Sequence, residues 1–327
     1  MKTEILNLLR CPHCAAGLNI VPLEQDRREI RRGHLACEPG GHTFEVSDGI
    51  IRFATGFQQE AVRKEIAYED SSYHGTDDRL RDPKVIARFP ETLSELWPHT
   101  RNFGPDFNEL IDRLQIQPGA WVLDVGTGAC WSSRLLAQRG AKVIAIDVNE
   151  AEFYGLKTSD ILFDAHNIYF ERVLESMTHL PFKDESLDCI TFNAAFHHTP
   201  DMEQTLRECF RVLKAGGHAA MVNEEFVSWR QRIFPRGPTT DLGSHHEIPY
   251  SDFEKAVRAA GFAFRYHLAG HVRKAIENRF GGVGRGLARS VERFPWMIKQ
   301  LNSAVILLAK PAGESAGDAI QSFANVF

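Results

Sequence analysis

Residues 121–133, "WVLDVGTGACWSS", narrow the choice of fold more than any other stretch of the chain. Trp121 through Val125 is a nearly unbroken apolar run, the pattern of a strand buried on both faces of a parallel sheet. Gly126 and Gly128 then supply a tight turn whose backbone can approach a ligand closely. The residues that follow predict a helix over about 129–139, stopped by Gly140. A strand, a glycine turn and a helix in this order open a βαβ unit. A ligand of such a unit lies beyond the carboxyl end of the strand.

The alternation continues along the chain. "KVIAIDV" (142–148) reads as the second strand, and further strands are expected at 168–175, 187–193, 218–224, 262–268 and 303–309. Ahead of the first strand, residues 106–116 place Phe107, Leu110, Ile111 and Leu114 on one helical face, with Asp106 and Glu109 in a capping-box pattern. Residues 202–217 form a helix with Leu206, Cys209, Phe210 and Leu213 on one face and Gly216-Gly217 as its stop. Residues 250–262 repeat the capping box with Ser251 and Glu254 and close at Gly261. Residues 56–104 are polar; a helix ending near Ser71 and another broken at Pro90 are expected there. Strands alternating with helices of this length predict an α/β fold: a doubly wound, Rossmann-like parallel sheet of seven strands.

The glycine turn also narrows the ligand. A dinucleotide fingerprint needs a third glycine, which this turn lacks, and that argues against a pyrophosphate on the helix N-terminus. Asp124 adds a negative charge that repels phosphate and attracts a cation. Asp147 ends the second strand at about the 20-residue distance from which a carboxylate accepts both ribose hydroxyls. Ribose without pyrophosphate, beside a cation-attracting carboxylate, points to S-adenosylmethionine (SAM). A nicotinamide or nucleotide-sugar domain, and a fold that has lost activity, are the competing readings.

"VLDVGTG", "VIAIDV", "HLPFKDESLDCITF", "AFHH" and "RVLKAGG" come in the order and spacing of the class I SAM-dependent methyltransferases, and residues 105–310 resemble that family. The resemblance implies that Asp124, Gly126 and Gly128 line the methionine part and that Asp147 binds the ribose. It places Met177 beside the adenine and Asn193 beside the sulfonium, with Ser176 where many relatives carry the acid that reads adenine N6.

Methyl transfer from a sulfonium needs positioning, plus a base where the nucleophile carries a proton. "NAAFHHTPD" (193–201) is not the Asn-Pro-Pro-Tyr type that methylates exocyclic amines of bases. His197 and His198 on this loop are the candidate catalytic bases for a hydroxyl; the alternative is that they cap the loop or pack beside the cofactor. His245, His246, Glu247 and Tyr250, with Glu224 and Glu225, form either a polar acceptor pocket or a lid and helix cap.

The N-terminal stretch is a separate problem. Cys11 and Cys14 do not follow a strand, as a redox Cys-x-x-Cys would. Cys37 and His42 follow on a Pro-Gly-Gly turn, and four such ligands suit a closed, structural tetrahedral zinc site. His42 stands in for a cysteine expected at Gly40; His34 and His13 are its rivals. Residues 5–54, closing on "FEVSDGIIRF", are similar to the zinc-ribbon lobe that precedes the catalytic domain of bacterial 23S rRNA guanine-N1 methyltransferases.

The expected organisation is a zinc-ribbon-like lobe (1–55), a helical linker or cap (56–104), a methyltransferase domain (105–310) with a helical insertion before the last strand (271–302), and a flexible tail (311–327). Cys130, Cys189 and Cys209 sit among apolar neighbours as buried thiols. The start, "MKTEILNLLR", lacks a signal peptide's apolar stretch, and no run reaches the ~18 apolar residues of a membrane span. A cytoplasmic protein without a transmembrane segment is therefore expected.

Residues 226–300 carry ten Arg and three Lys against six acids, which reads as a site for an anionic acceptor or as a solvated face. The function expected is methyl transfer to O or C of a polar small molecule: a sugar, lipid or natural-product precursor, anionic if the basic stretch serves it. The alternative is an rRNA or tRNA base methyltransferase. A pI near 6.3 and few aromatics in the basic stretch (Phe280, Phe294 and Trp296) favour the small molecule over RNA. A non-catalytic interaction module is a third reading, and the sequence sets no oligomeric state.

Overall fold

The computed structural model describes residues 1–53, 78–228, 248–300 and 304–313. The helix expected to end near Ser71, together with His245, His246, Glu247 and the chain from 314 onward, lies outside the described residues.

Four strands come first: β1 (Asn19–Gln25), β2 (Ile30–Cys37), β3 (His42–Ser47) and β4 (Ile50–Arg52). A helical cap follows, with α1 (Pro83–Ala87), α2 (Leu93–Leu96) and a 3-10 turn (Pro98–Asn102). Then α3 (Phe103–Leu114) leads into the alternating body: β5 (Trp121–Val125), α4 (Trp131–Gln138), β6 (Lys142–Asp147), α5 (Ser159–His166), β7 (Glu171–Leu174), β8 (Leu187–Asn193), α6 (Met202–Val212) and β9 (Leu213–Val222). Short strands β10 (Phe226–Val227) and β11 (Ile248–Pro249) precede α7 (Tyr250–Ala259) and β12 (Ala263–Leu268). Three helices, α8 (Gly270–Phe280), α9 (Gly284–Glu292) and α10 (Pro295–Gln300), separate β12 from β13 (Ala304–Ala309).

The main sheet has eleven strands in the order β1-β2-β3-β4-β7-β6-β5-β8-β9-β13-β12. The last seven in that order are the strands expected from the alternation, but the sheet is mixed and not wholly parallel, since β13 lies antiparallel to β9 and β12; the N-terminal strands extend it instead of forming a detached lobe. The joint is parallel: Ile50, Ile51 and Arg52 of β4 lie opposite Arg172, Val173 and Leu174 of β7. Without β4, β7 would be a sheet edge with unpaired backbone groups. A buried charge cluster reinforces the seam. Arg172, fully buried, pairs with buried Glu29 and donates to Ser159 (3.0 Å) and Asp160 (3.1 Å) of α5. Burial pushes the Glu29 carboxyl up, but Arg172 and the Met1 amine outweigh it and hold the group near 2.

Both capping boxes read from the sequence are absent. α3 starts three residues early, so Asp106 sits inside its first turn, where it accepts from the His271 backbone N–H (2.9 Å) and Nδ1 (2.5 Å) of α8. α7 is capped by Pro249, and Glu254 instead accepts from the Tyr266 hydroxyl (3.0 Å) and pairs with Lys299. α6 stops at Val212, short of the Gly216-Gly217 stop, because Leu213 already pairs with Leu187 of β8.

The chain leaves β5 for β6 on one side and returns to β8 on the other, which places the switch-point crevice at the carboxyl ends of β5, β6 and β8. Among the described residues no helix is long and apolar enough to cross a membrane.

Candidate active site

A cavity of about 1270 Å³, counting its open mouth, occupies that crevice. Its floor is the glycine turn. Gly126 (φ 66°) and Gly128 (φ 48°) both take left-handed backbone. A Cβ on Gly126 would lie 2.5 Å from the Ala195 Cβ, so the β8 loop itself demands glycine there. Cys130, just before α4, also has positive φ (59°), and it carries a buried thiol pushed up in pKa by desolvation.

The two aspartates of the motif have different tasks. Asp147 lines the cavity and is braced from both sides: Oδ2 accepts from the Gly128 N–H (2.7 Å) and Oδ1 from the Asn149 N–H (2.8 Å). Asp124 does not line it. Its buried carboxylate accepts from four hydroxyls: Thr127 (3.1 Å), Ser132 (2.6 Å), Ser133 (2.6 Å) and Thr191 (3.0 Å). Burial raises its pKa against those four donors. Asp124 therefore ties the turn and the first turn of α4 to β8, and its charge meets a ligand only through that frame.

After β7, Met177 lines the cavity but Ser176 does not; the Ser176 hydroxyl lies 2.9 Å from that of Thr178, inside a turn. The acid facing the cavity is Glu175, one residue upstream, which sequence reasoning missed. Burial raises its carboxyl to about 7, opposed by a hydrogen bond from the Ser176 N–H (2.7 Å).

Asn193, at the end of β8, lines the cavity and accepts from Asn223 Nδ2 (2.8 Å). Ala194 (φ 52°) and Asn223 (φ 60°) hold left-handed backbone that is costly for residues with a Cβ, and both border the cavity. His197 and His198 line it as well, their rings 4.2 Å apart. His197 is 3% exposed, and its Nδ1 lies 2.8 Å from Glu224 Oε2. The same carboxylate accepts from the backbone N–H groups of Ala195 (3.0 Å) and His197 (3.1 Å), so Glu224 clamps the whole loop. A carboxylate at Nδ1 favours the tautomer with its proton there and leaves Nε2 as the basic nitrogen.

The opposite wall comes from the cap: Leu93, Trp97, His99, Thr100 and Phe103. Trp97 meets Tyr154 edge to face (5.8 Å), and Tyr154 lies over Gly128. Sequence reasoning missed this wall; its one signal was the aromatic-rich run "LWPHTRNF" (96–103) in an otherwise polar stretch. Tyr250 packs away from the cavity, stacked on Phe226 at 5.2 Å.

Far along the sheet, Cys11, Cys14, Cys37 and His42 converge, their ligand atoms all within 4.8 Å of one another. Cys14 and Cys37 sulfurs are 3.3 Å apart, as are the Cys11 sulfur and His42 Nδ1. A Cβ on Gly40 would fall 2.5 Å from His42 Nδ1, so the histidine occupies the space that a side chain at position 40 would need. Of its rivals, His34 is exposed on β2, and His13 packs its ring 4.7 Å from that of His42.

A family model described as a methyltransferase domain matches residues 123–221. A ubiquinone biosynthesis O-methyltransferase of Pseudomonas entomophila is 33% identical over 214 residues, spanning 58% of this chain and 83% of that protein. One from Pseudomonas fluorescens is 29% identical over 220 residues, 60% of this chain and 85% of the relative. A solved SAM-dependent methyltransferase of Aquifex aeolicus covers 70% of this chain and 97% of its own, at 20% identity and a TM-score of 0.44.

Proposed function

The chain belongs to the class I SAM-dependent methyltransferases, and from that membership we propose that it methylates a hydroxyl oxygen of an uncharged, ring-bearing small molecule. The relatives' name, ubiquinone biosynthesis O-methyltransferase, supports oxygen as the acceptor atom. The observation that carries the reading is His197 held at 2.8 Å by Glu224 on the wall of the cavity. Glu224 keeps the Nδ1 proton and steadies the imidazolium formed when Nε2 takes the acceptor's proton. The aromatic cap residues Trp97 and Phe103 favour a ring-bearing acceptor. The charged side chains lining the cavity among the described residues are the carboxylates Asp147, Glu175 and Glu225, with no Lys or Arg. That supports an uncharged acceptor over an anionic one.

The residues fit SAM. The left-handed glycine turn leaves the floor open for the methionine part, and Asp147 is oriented for the ribose hydroxyls. Met177 and Glu175 are the candidates for the adenine, and Asn193 for the region of the sulfonium. Bound SAM supplies an electrophilic methyl group; the chain supplies orientation, exclusion of water and a base. His197→Ala should lower kcat roughly 10²–10⁴-fold with little change in SAM affinity. An unchanged kcat would refute His197 as the base. His198→Ala, tested beside it, reads whether the neighbouring ring shares the duty.

The cluster of three cysteines and His42 fits zinc by donor type and spacing, with no ligand position left open, so we assign it a structural role. Cys11→Ser should remove about one zinc per chain and lower the melting temperature. Unchanged metal content would refute the assignment. We divide the chain into lobe (1–55), cap (56–104), catalytic body (105–310, insertion 271–302) and tail (311–327), and place it in the cytoplasm, in keeping with its six free cysteines.

A further inference from the structure

The helical excursion between β12 and β13 plays no part in the cavity described above. Seven large hydrophobic side chains are exposed among the described residues, and five of them fall in this one excursion: Phe280, Val283, Leu287, Phe294 and Trp296. Val283 is 76% exposed and Trp296 64%. Interleaved with them are five exposed cations, Lys274, Arg279, Arg285, Arg289 and Arg293. No acid of residues 270–300 is exposed: Glu277 and Glu292 are both half-buried, and Glu292 is bound to Arg273 (2.7 Å).

The excursion is anchored from beneath. Gly284, Ala288 and Val291 of α9 are buried at helical spacing, as is Ile298 of α10. His271 and Arg273 of α8 bind Asp106 and Glu109 of α3. The apolar and cationic groups outside are therefore a face of a packed element.

The topology sets where this excursion emerges. β13 runs antiparallel to both β9 and β12, so β12 is parallel to β9 and ends at the carboxyl edge of the sheet. The excursion springs from that edge, the one that holds the cavity, and it rests on α3, whose first residue, Phe103, is part of the cavity wall.

We propose that α8–α10 form a peripheral docking surface for an anionic lipid membrane, with Phe280, Val283, Phe294 and Trp296 entering the headgroup region and the Arg side chains meeting lipid phosphates. Exposed Trp and Phe beside Arg and Lys are the composition that an interfacial element requires, and the charge complements an anionic leaflet. A nucleic acid would satisfy the cations but gains nothing from Val283 and Leu287. The surface lies outside the cavity, so the inference does not depend on the identity of the methyl acceptor.

The test is vesicle flotation of the whole protein with phosphatidylcholine alone and with phosphatidylcholine mixed with phosphatidylglycerol, at low and at high salt. Binding should require phosphatidylglycerol and weaken with salt. The double variant Phe294→Ser/Trp296→Ser and the triple variant Arg285→Gln/Arg289→Gln/Arg293→Gln should each lower partitioning by roughly tenfold or more while melting like the parent. The vesicle-induced blue shift of tryptophan emission should shrink in Trp296→Phe, a variant that keeps an aromatic ring. Parent protein that ignores the mixed vesicles at low salt would overturn the proposal, as would variants that float like the parent. Tight binding to single-stranded RNA that survives Phe294→Ser/Trp296→Ser, without vesicle binding, would overturn it in favour of nucleic acid.

Discussion

Glu175 and Ser176 differ by one position and by nearly everything else. Ser176 turns into its own loop, whereas Glu175 faces the cavity with a carboxyl raised by burial to about 7. A carboxyl with a raised folded-state pKa favours folding most at low pH. Its contribution is lost as pH climbs from the ordinary value of 4.5 toward 7. Urea melts of Glu175→Gln should lack this decline between about pH 5 and 7 and should show the variant at least as stable as the parent above that range. A parent-like pH slope in the variant would mean that the carboxyl is not buried in solution. The sequence did mark out several residues that line the cavity. Gly126, Gly128, Asp147, Met177, Asn193 and both loop histidines all face the cavity, because glycine turns and strand ends leave little freedom. Asp124 and Ser176 do not face it. Their orientation is set by hydroxyls, Thr191 on β8 and Thr178 in the turn, whose positions only the folded chain defines.

At the scale of elements, the parallel body was legible because each strand is a short apolar run followed by a helix stop. The joining of β4 to β7 was not. It pairs residues more than a hundred positions apart, and the deciding groups, Arg172 and Glu29, look in sequence like ordinary surface charges. Both are fully buried. Arg172→Met strips the buried Glu29 of its guanidinium partner, leaving the Met1 amine (2.7 Å) and Arg31 (2.9 Å), and should cost about 3 kcal/mol, read as a lower denaturation midpoint. Glu29 titrates in the opposite sense to Glu175: with its folded-state pKa near 2, its contribution is complete above about 4.5 and is lost as pH falls toward 2. The Arg172→Met variant should show a weaker acid-side dependence, because the Met1 amine and Arg31 still face Glu29. Loss of less than about 1 kcal/mol would mean that the lobe is not welded to the body at this seam. The capping boxes failed for a related reason. Asp106 and Glu254 fit the local pattern, but each found a stronger partner in a distant element, His271 and Lys299.

On the scale of the whole molecule, one sheet carries three separate features along its width. The thiol–imidazole cluster lies toward one end, the cavity at the switch point, and the cationic, aromatic helices at the far end, on the carboxyl edge. The cap, from Leu93 to Phe103, supplies one wall of the cavity from a segment with no counterpart in the alternating body. The account stands on the cavity accepting SAM through Asp147, so the most direct measurement is calorimetric titration of SAM into the parent protein and into Asp147→Ala. One site per chain in the parent, weakened at least roughly tenfold in the variant with folding intact, is the predicted result. A parent protein that gives no SAM isotherm, or an Asp147→Ala variant that binds SAM as tightly as the parent, would contradict it.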